Sequence, residues 1–155
     1  MRNTTTENTT MSVLTQFIAA EEDEIEAIGE SLSPVDEWSG LQMRDVDTAK
    51  IATLHSLLTG ELFDDAVAHY EPTYVSEAEG ALVLRLADEL TERLAALDED
   101  NLDAVAMELA ATEEFEYAGW ESEAIAAMLA DLADLARLAE SQGQTLLVWL
   151  HPLKT

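Results

Sequence analysis

The stretch that most constrains this chain lies near its end, where Thr145 to Leu150 reads TLLVWL without a charged residue. A continuous apolar run of strand length fits a strand buried on both faces or set in the middle of a small sheet. Its natural partner is Ser12 to Ala19 (SVLTQFIA), where β-branched and aromatic residues precede an abrupt acidic run, Glu21 to Glu26. That is how a strand leading into a helix N-terminus looks.

Helical periodicity dominates between the two strands. Ile25, Ile28 and Leu32 keep a helical spacing that Ser33-Pro34 stops, because a residue before proline is pushed out of the helical region. Val35 to Met43 reads as loop, with Trp38 and Leu41 covering the core. Asp45 or Asp47 caps the next helix, which carries Ile51, Leu54, Leu57 and Leu58 on one face and ends at Gly60. Glu61 to His69 adds a helical turn or two with Leu62, Phe63 and Ala66 inward, and Thr73-Tyr74-Val75 reads as a short strand.

From Ala81 to Leu97 the stripe Leu82, Leu86, Leu90, Leu94 and Leu97 predicts an amphipathic helix, with Arg85, Glu89 and Arg93 spaced for i,i+4 pairs. Asp98 caps a further helix to about Ala111 that packs Leu102, Val105 and Leu109. An aromatic connector follows, Phe115, Tyr117 and Trp120 around Gly119. Glu121 to Gln142 forms the longest helix, with Ile125, Met128, Leu129, Leu132, Leu135 and Ala139 on one face and Gly143 as its terminator. The predicted class is α+β: a small sheet including the N- and C-terminal strands, packed with several amphipathic helices.

A chain of 155 residues is the size of one domain, placed here at 11–155 behind a polar lead-in, MRNTTTENTT over 1–10, expected to be disordered. The lead-in lacks the apolar segment of a signal peptide, Met11 is an alternative start, and the sequons at Asn3 and Asn8 are expected to go unused. No run approaches the roughly 18 apolar residues of a membrane span. With cysteine absent, disulfides and thiolate metal sites are excluded, and a cytoplasmic location is expected.

Against 7 Lys and Arg stand 33 Asp and Glu, a formal net charge of −26. Such a surface repels nucleic acid and anionic membrane and attracts cations and basic proteins. The hydrophobic fraction, 48%, is ordinary for a globular domain, so the acidity does not come at the expense of a core.

Three histidines are the natural general bases, yet no nucleophile elbow or fixed-spacing partner accompanies His55, His69 or His151, and no catalytic residue is assigned. His55 flanks its apolar stripe as a satisfied, half-buried side chain. Asp65 and His69, four apart, would share a face if helical, but one such pair among many acids does not define a metal site, and neither metal nor cofactor is expected. Asp98 to Asp103 imitates a calcium loop and fails it: Leu102 and Leu109 occupy its fifth and twelfth positions, and the sixth is not glycine. The acidic runs at Glu21 to Glu24, Asp98 to Asp100 and Glu113-Glu114 read as solvated helix ends or, alternatively, as docking acids for a basic protein, with Glu21, Glu22 and Glu24 the first candidates.

The block Asp45 to Gly60, DVDTAKIATLHSLLTG, resembles the YfbM-like family of small bacterial proteins, domain of unknown function 1877. Leu54, His55, Leu57, Leu58, Thr59 and Gly60 carry the likeness. The family's lysine is displaced to Lys50, and Ile51 or Ala52 stands near the place of its tryptophan. The order of elements agrees over about residues 11 to 150. The resemblance implies an α+β fold with no established activity, and it places Leu54, His55, Thr59 and Gly60 near any family cleft. Two functions stay open: a non-catalytic acidic module that binds a basic protein, as an immunity or antitoxin-like factor does, and an accessory domain whose acidity serves solubility only. An enzyme is the outsider.

Overall fold

In a computed structural model the described residues are 13–78 and 80–152. The lead-in over 1–10, its sequons and Met11 lie outside them. Strands β1 (Leu14–Ala20), β2 (Ser39–Arg44), β3 (Tyr74–Val75), β4 (Leu82–Arg85) and β5 (Thr145–His151) form one antiparallel sheet in the order β2-β1-β5-β4-β3. The C-terminal apolar run is its centre: Val148 stands opposite Phe17 of β1 on one side and Leu84 of β4 on the other. The expected pairing of the two terminal strands therefore holds, and the architecture is α+β.

Because strand side chains alternate between faces, each strand feeds two cores. Phe17, Ala19, Leu84, Leu146, Val148 and Leu150 enter a large cluster, whereas Leu14, Ile18, Val83, Leu147 and Trp149 enter a smaller one. The large cluster is roofed by α2 (Thr48–Thr59), α4 (Asp88–Ala95), α5 (Glu99–Ala110) and α7 (Ser122–Ser141), with α4 and α5 both packed on α7. The smaller one is closed by Ile28 of α1 (Ile25–Glu30), by Val35 and Trp38, and by Tyr74. On the smaller cluster's face Gln16, fully buried on β1, satisfies its amide by accepting from Val35 N–H and donating to Gln42 Oε1, both at 2.9 Å. No helix among the described residues is long and apolar enough to cross a membrane.

Several sequence expectations are corrected. The predicted helix over Ala81 to Leu97 is a strand followed by a shorter helix: β4 occupies Leu82–Arg85 and α4 begins at Asp88. Leucines four apart satisfy a helical stripe, but Val83 and Leu84 enter opposite cores, as neighbours on a strand do. Arg85 consequently pairs with Glu22 and Asp88, leaving Glu89 to Arg93. The loop expected over Val35 to Met43 contains edge strand β2, where Gly40 is required because a Cβ there would stand 2.4 Å from the Phe17 carbonyl oxygen.

Helix α1 ends at Glu30, short of Ser33-Pro34, and exposes Leu32. Asp47 is the α2 cap, accepting from Lys50 N–H at 3.0 Å, while Asp45 takes a left-handed conformation and accepts from Val13 N–H. The aromatic connector holds a short helix, α6 (Glu113–Tyr117), that buries Phe115 and leaves Tyr117 exposed. In α3 (Phe63–Ala68) only Ala66 of the three expected core residues is buried; Leu62 and Phe63 face outward.

Candidate functional site

Helix α2 ends in a turn that carries the site. Gly60 adopts the left-handed conformation, φ 83°, that ends a helix, and its N–H donates to Ser56 O. The Thr59 hydroxyl donates to His55 O at 2.7 Å and accepts from Glu61 N–H at 3.3 Å, while the Ser56 hydroxyl donates to Glu61 O at 2.6 Å. These bonds fold Glu61 back beside the last buried residue of α2, which is His55. Helix α3 then returns the chain so that His69, at its C-terminal cap, and Tyr70 meet the same place.

His55 is 1% exposed, not half-buried as its sequence position suggests. Its Nε2 lies 2.5 Å from Glu61 Oε1, and His69 Nε2 lies 3.0 Å from that same oxygen. Its Nδ1 is 2.8 Å from the buried Tyr70 hydroxyl, which also receives Ala87 N–H at 3.4 Å. The Glu61 carboxylate can only accept, so the His55 hydrogen sits on Nε2, and in the neutral imidazole Nδ1 is then left to accept from the Tyr70 hydroxyl. Burial pushes the Tyr70 phenol well above its usual range, so it stays a neutral donor. The bond from His55 holds the Glu61 carboxyl below its ordinary value; desolvation opposes this, and His69 reinforces it.

The imidazole donors and the Glu61 carboxylate lie within 4.8 Å of one another. They open on a cleft of about 420 Å³ that Thr73, Arg85, Asp88 and Glu89 also line. The Arg85 guanidinium is engaged by Glu22 at 2.8 Å and by Asp88 at 2.9 Å, so carboxylates dominate this wall.

The residues singled out from the sequence divide. His55, Thr59 and Gly60 do build the turn beside the cleft, whereas Leu54 is turned into the large core. His69 joins the site, but its partners are Glu61 and His55 in place of Asp65, which is exposed on α3. His151 stands at the end of β5, with its ring 5.4 Å from that of Trp149. Asp98 caps α5 through Asn101 N–H. Of the docking candidates, Glu21 is exposed, Glu22 pairs with Arg85, and Glu24 accepts from the Trp38 indole at 2.9 Å and from Glu21 N–H at 3.0 Å. Glu61 and Tyr70 were not foreseen. The available signal was Thr59-Gly60-Glu61 itself, a helix stop that returns the next side chain to the turn containing His55.

A second concavity, about 290 Å³, lies across α2 from this cleft in the lining residues Thr53, Ser56, Leu57, Phe63, Thr112, Glu113 and Glu114. Beside it α3 and its N-cap residue expose Leu62 (74%), Phe63 and Val67, with Asp64 and Asp65 between them.

No protein-family model matches the chain, and no curated protein matches it. Among solved structures it is similar to YfbM from Escherichia coli, a protein of unknown function, with a TM-score of 0.45 and 17% sequence identity over 88% of this chain and 99% of that one.

Proposed function

We propose that this domain is a non-catalytic binding protein for a basic protein partner, and that the partner docks on α3 and the groove beside it. The observation that carries the reading is the mixed character of that surface. Three apolar side chains, Leu62 at the N-cap of one short helix and Phe63 and Val67 on it, stand exposed, with Asp64 and Asp65 among them and Glu113 and Glu114 across the groove. Apolar anchors ringed by one sign of charge suit a partner that brings its own apolar contact and the opposite charge.

The whole-chain balance supports the sign. With 33 acids and 7 Lys and Arg, most carboxylates have no basic side chain of the same protein to neutralise them. Glu22 and Glu24 are less suited to docking than the sequence suggests, because their carboxylates already hold Arg85 and Trp38. Occluding a basic partner is what an immunity or antitoxin-like protein does, and this reading includes that role.

The test is capture of partners from the native host on the wild-type domain, followed by titration of the purified partner against Leu62→Ala and Phe63→Ala. Both side chains are exposed, so circular dichroism should remain native. The expected result is a basic partner whose affinity falls about ten-fold or more in the variants. An acidic or neutral partner, or a basic one indifferent to both substitutions, contradicts the reading and leaves the acidity as a solubility feature.

A further inference from the structure

The geometry points to a binding site for a divalent transition metal of the zinc class at His55, Glu61 and His69, an inference independent of the protein-binding reading. Two imidazoles and one carboxylate, with a further position open, are a donor set suited to zinc, whereas calcium and magnesium favour all-oxygen surroundings.

Three observations set this cluster apart from the many carboxylate groupings of an acidic protein. First, it brings two histidines onto one carboxylate oxygen, at 2.5 and 3.0 Å. Donors bound tetrahedrally at about 2.0–2.1 Å from zinc stand roughly 3.3 Å apart. Glu61 therefore needs to withdraw from each imidazole by less than about 1 Å, and the two imidazole nitrogens, which lie within 4.8 Å of one another, to settle at that same spacing. It can do so, being one-third exposed and placed just after the Gly60 turn.

Second, one ligand is anchored. His55 is buried on a twelve-residue helix and its Nδ1 is held by Tyr70, which fixes the ring with Nε2 toward the cleft. A ligating histidine characteristically donates its other ring N–H to an acceptor, a part the Tyr70 oxygen is placed to take. On metal binding the hydrogen moves from Nε2 to Nδ1, and the phenol oxygen accepts where it had donated. Third, the open side of the cluster faces Asp88 and Glu89, and the one arginine of that cleft is already paired. A cation is favoured there.

Binding would tie Glu61, just before α3, and His69, just after it, to α2. Helix α3 would then be clamped at both ends.

The experiment is calorimetric titration of the metal-free domain with zinc in excess magnesium, which occupies diffuse carboxylate sites. Cobalt substitution reads the geometry by visible absorption. One equivalent is expected, with an intense tetrahedral cobalt spectrum and a melting midpoint raised by roughly 5–10 °C at zinc a hundred-fold above its dissociation constant. His69→Ala and Glu61→Gln should each weaken zinc about a hundred-fold, Tyr70→Phe about ten-fold, and Asp65→Asn not at all. Because His69 is 45% exposed, its variant should stay folded even if His55→Ala does not. No binding in excess magnesium, or binding that His69→Ala and Glu61→Gln leave unchanged, overturns the site.

Discussion

Helix α7 with β5, and α2 with the turn into α3, are built by different rules. Every buried residue of α7 is apolar: Ile125, Met128, Leu129, Leu132, Ala133, Leu135, Ala136 and Ala139. Helix α2 buries Lys50, Thr53 and His55 among its apolar residues, and the turn after it spends two hydroxyls and a carboxylate on polar contacts. Except at His151, buried at the end of β5, the first region follows from the hydrophobic effect. The second accepts buried polar groups that must be satisfied one by one, a local departure from packing logic of the kind expected at functional sites.

The largest expected effect breaks the apolar side of that contrast. Leu132→Ala should cost about 2–5 kcal/mol in urea unfolding, because it empties a fully buried position between the helical layer and the sheet. Leu57→Ala, at a half-buried position of α2, should cost under about 2 kcal/mol. Equal costs would mean that α2 is packed as tightly as α7.

Next comes the polar side. His55→Ala should cost about 1–3 kcal/mol, since it leaves the buried Tyr70 hydroxyl without its imidazole partner. The decisive variant is the double one with Tyr70→Phe. If the histidine acts through that bond, the double variant is less destabilised than the sum of the singles. Strict additivity would show that His55 is held by packing alone.

How legible these regions were follows from the same contrast. The α7 stripe and the β5 run could be read directly, because their apolar residues have no use but burial. Leu82, Leu86, Leu90 and Leu94 misled because a four-residue spacing also arises when a strand hands over to a helix; the informative run was Leu82-Val83-Leu84, continuous apolar letters whose neighbours Val83 and Leu84 enter opposite cores. Strand β2 was missed because Ser39, Gly40 and Gln42 carry little strand preference, and its pairing with β1 is a long-range choice. At the site, His55 and the Thr59-Gly60 turn were visible, but Glu61 becomes a partner only through that turn, and Tyr70 only after α3 has brought the chain back.

A smaller effect concerns a polar contact outside both regions. The Trp38 indole N–H, then the Glu21 N–H, hold the Glu24 carboxyl below its usual value. A depressed carboxyl contributes stability above its unfolded pKa of about 4.3 and loses it as pH falls through the lower folded value. Trp38→Phe should therefore differ from wild type by a pH-dependent increment that shrinks on acidification below about pH 4. An increment constant from neutral to acid pH would show that the indole contributes packing only.

The central claim is that the acidic surface around α3 recognises a basic protein, and its most direct measurement is the stopped-flow association rate of the captured partner across ionic strength. Electrostatic steering predicts an on-rate that falls steeply with salt while the off-rate, set by contacts such as Leu62 and Phe63, changes little. Reversing Asp64 and Asp65 to lysine should slow association and flatten the salt dependence. The same reversal at Glu21 should do less. An on-rate independent of salt, or equally sensitive to Glu21 and to the α3 pair, would contradict the account.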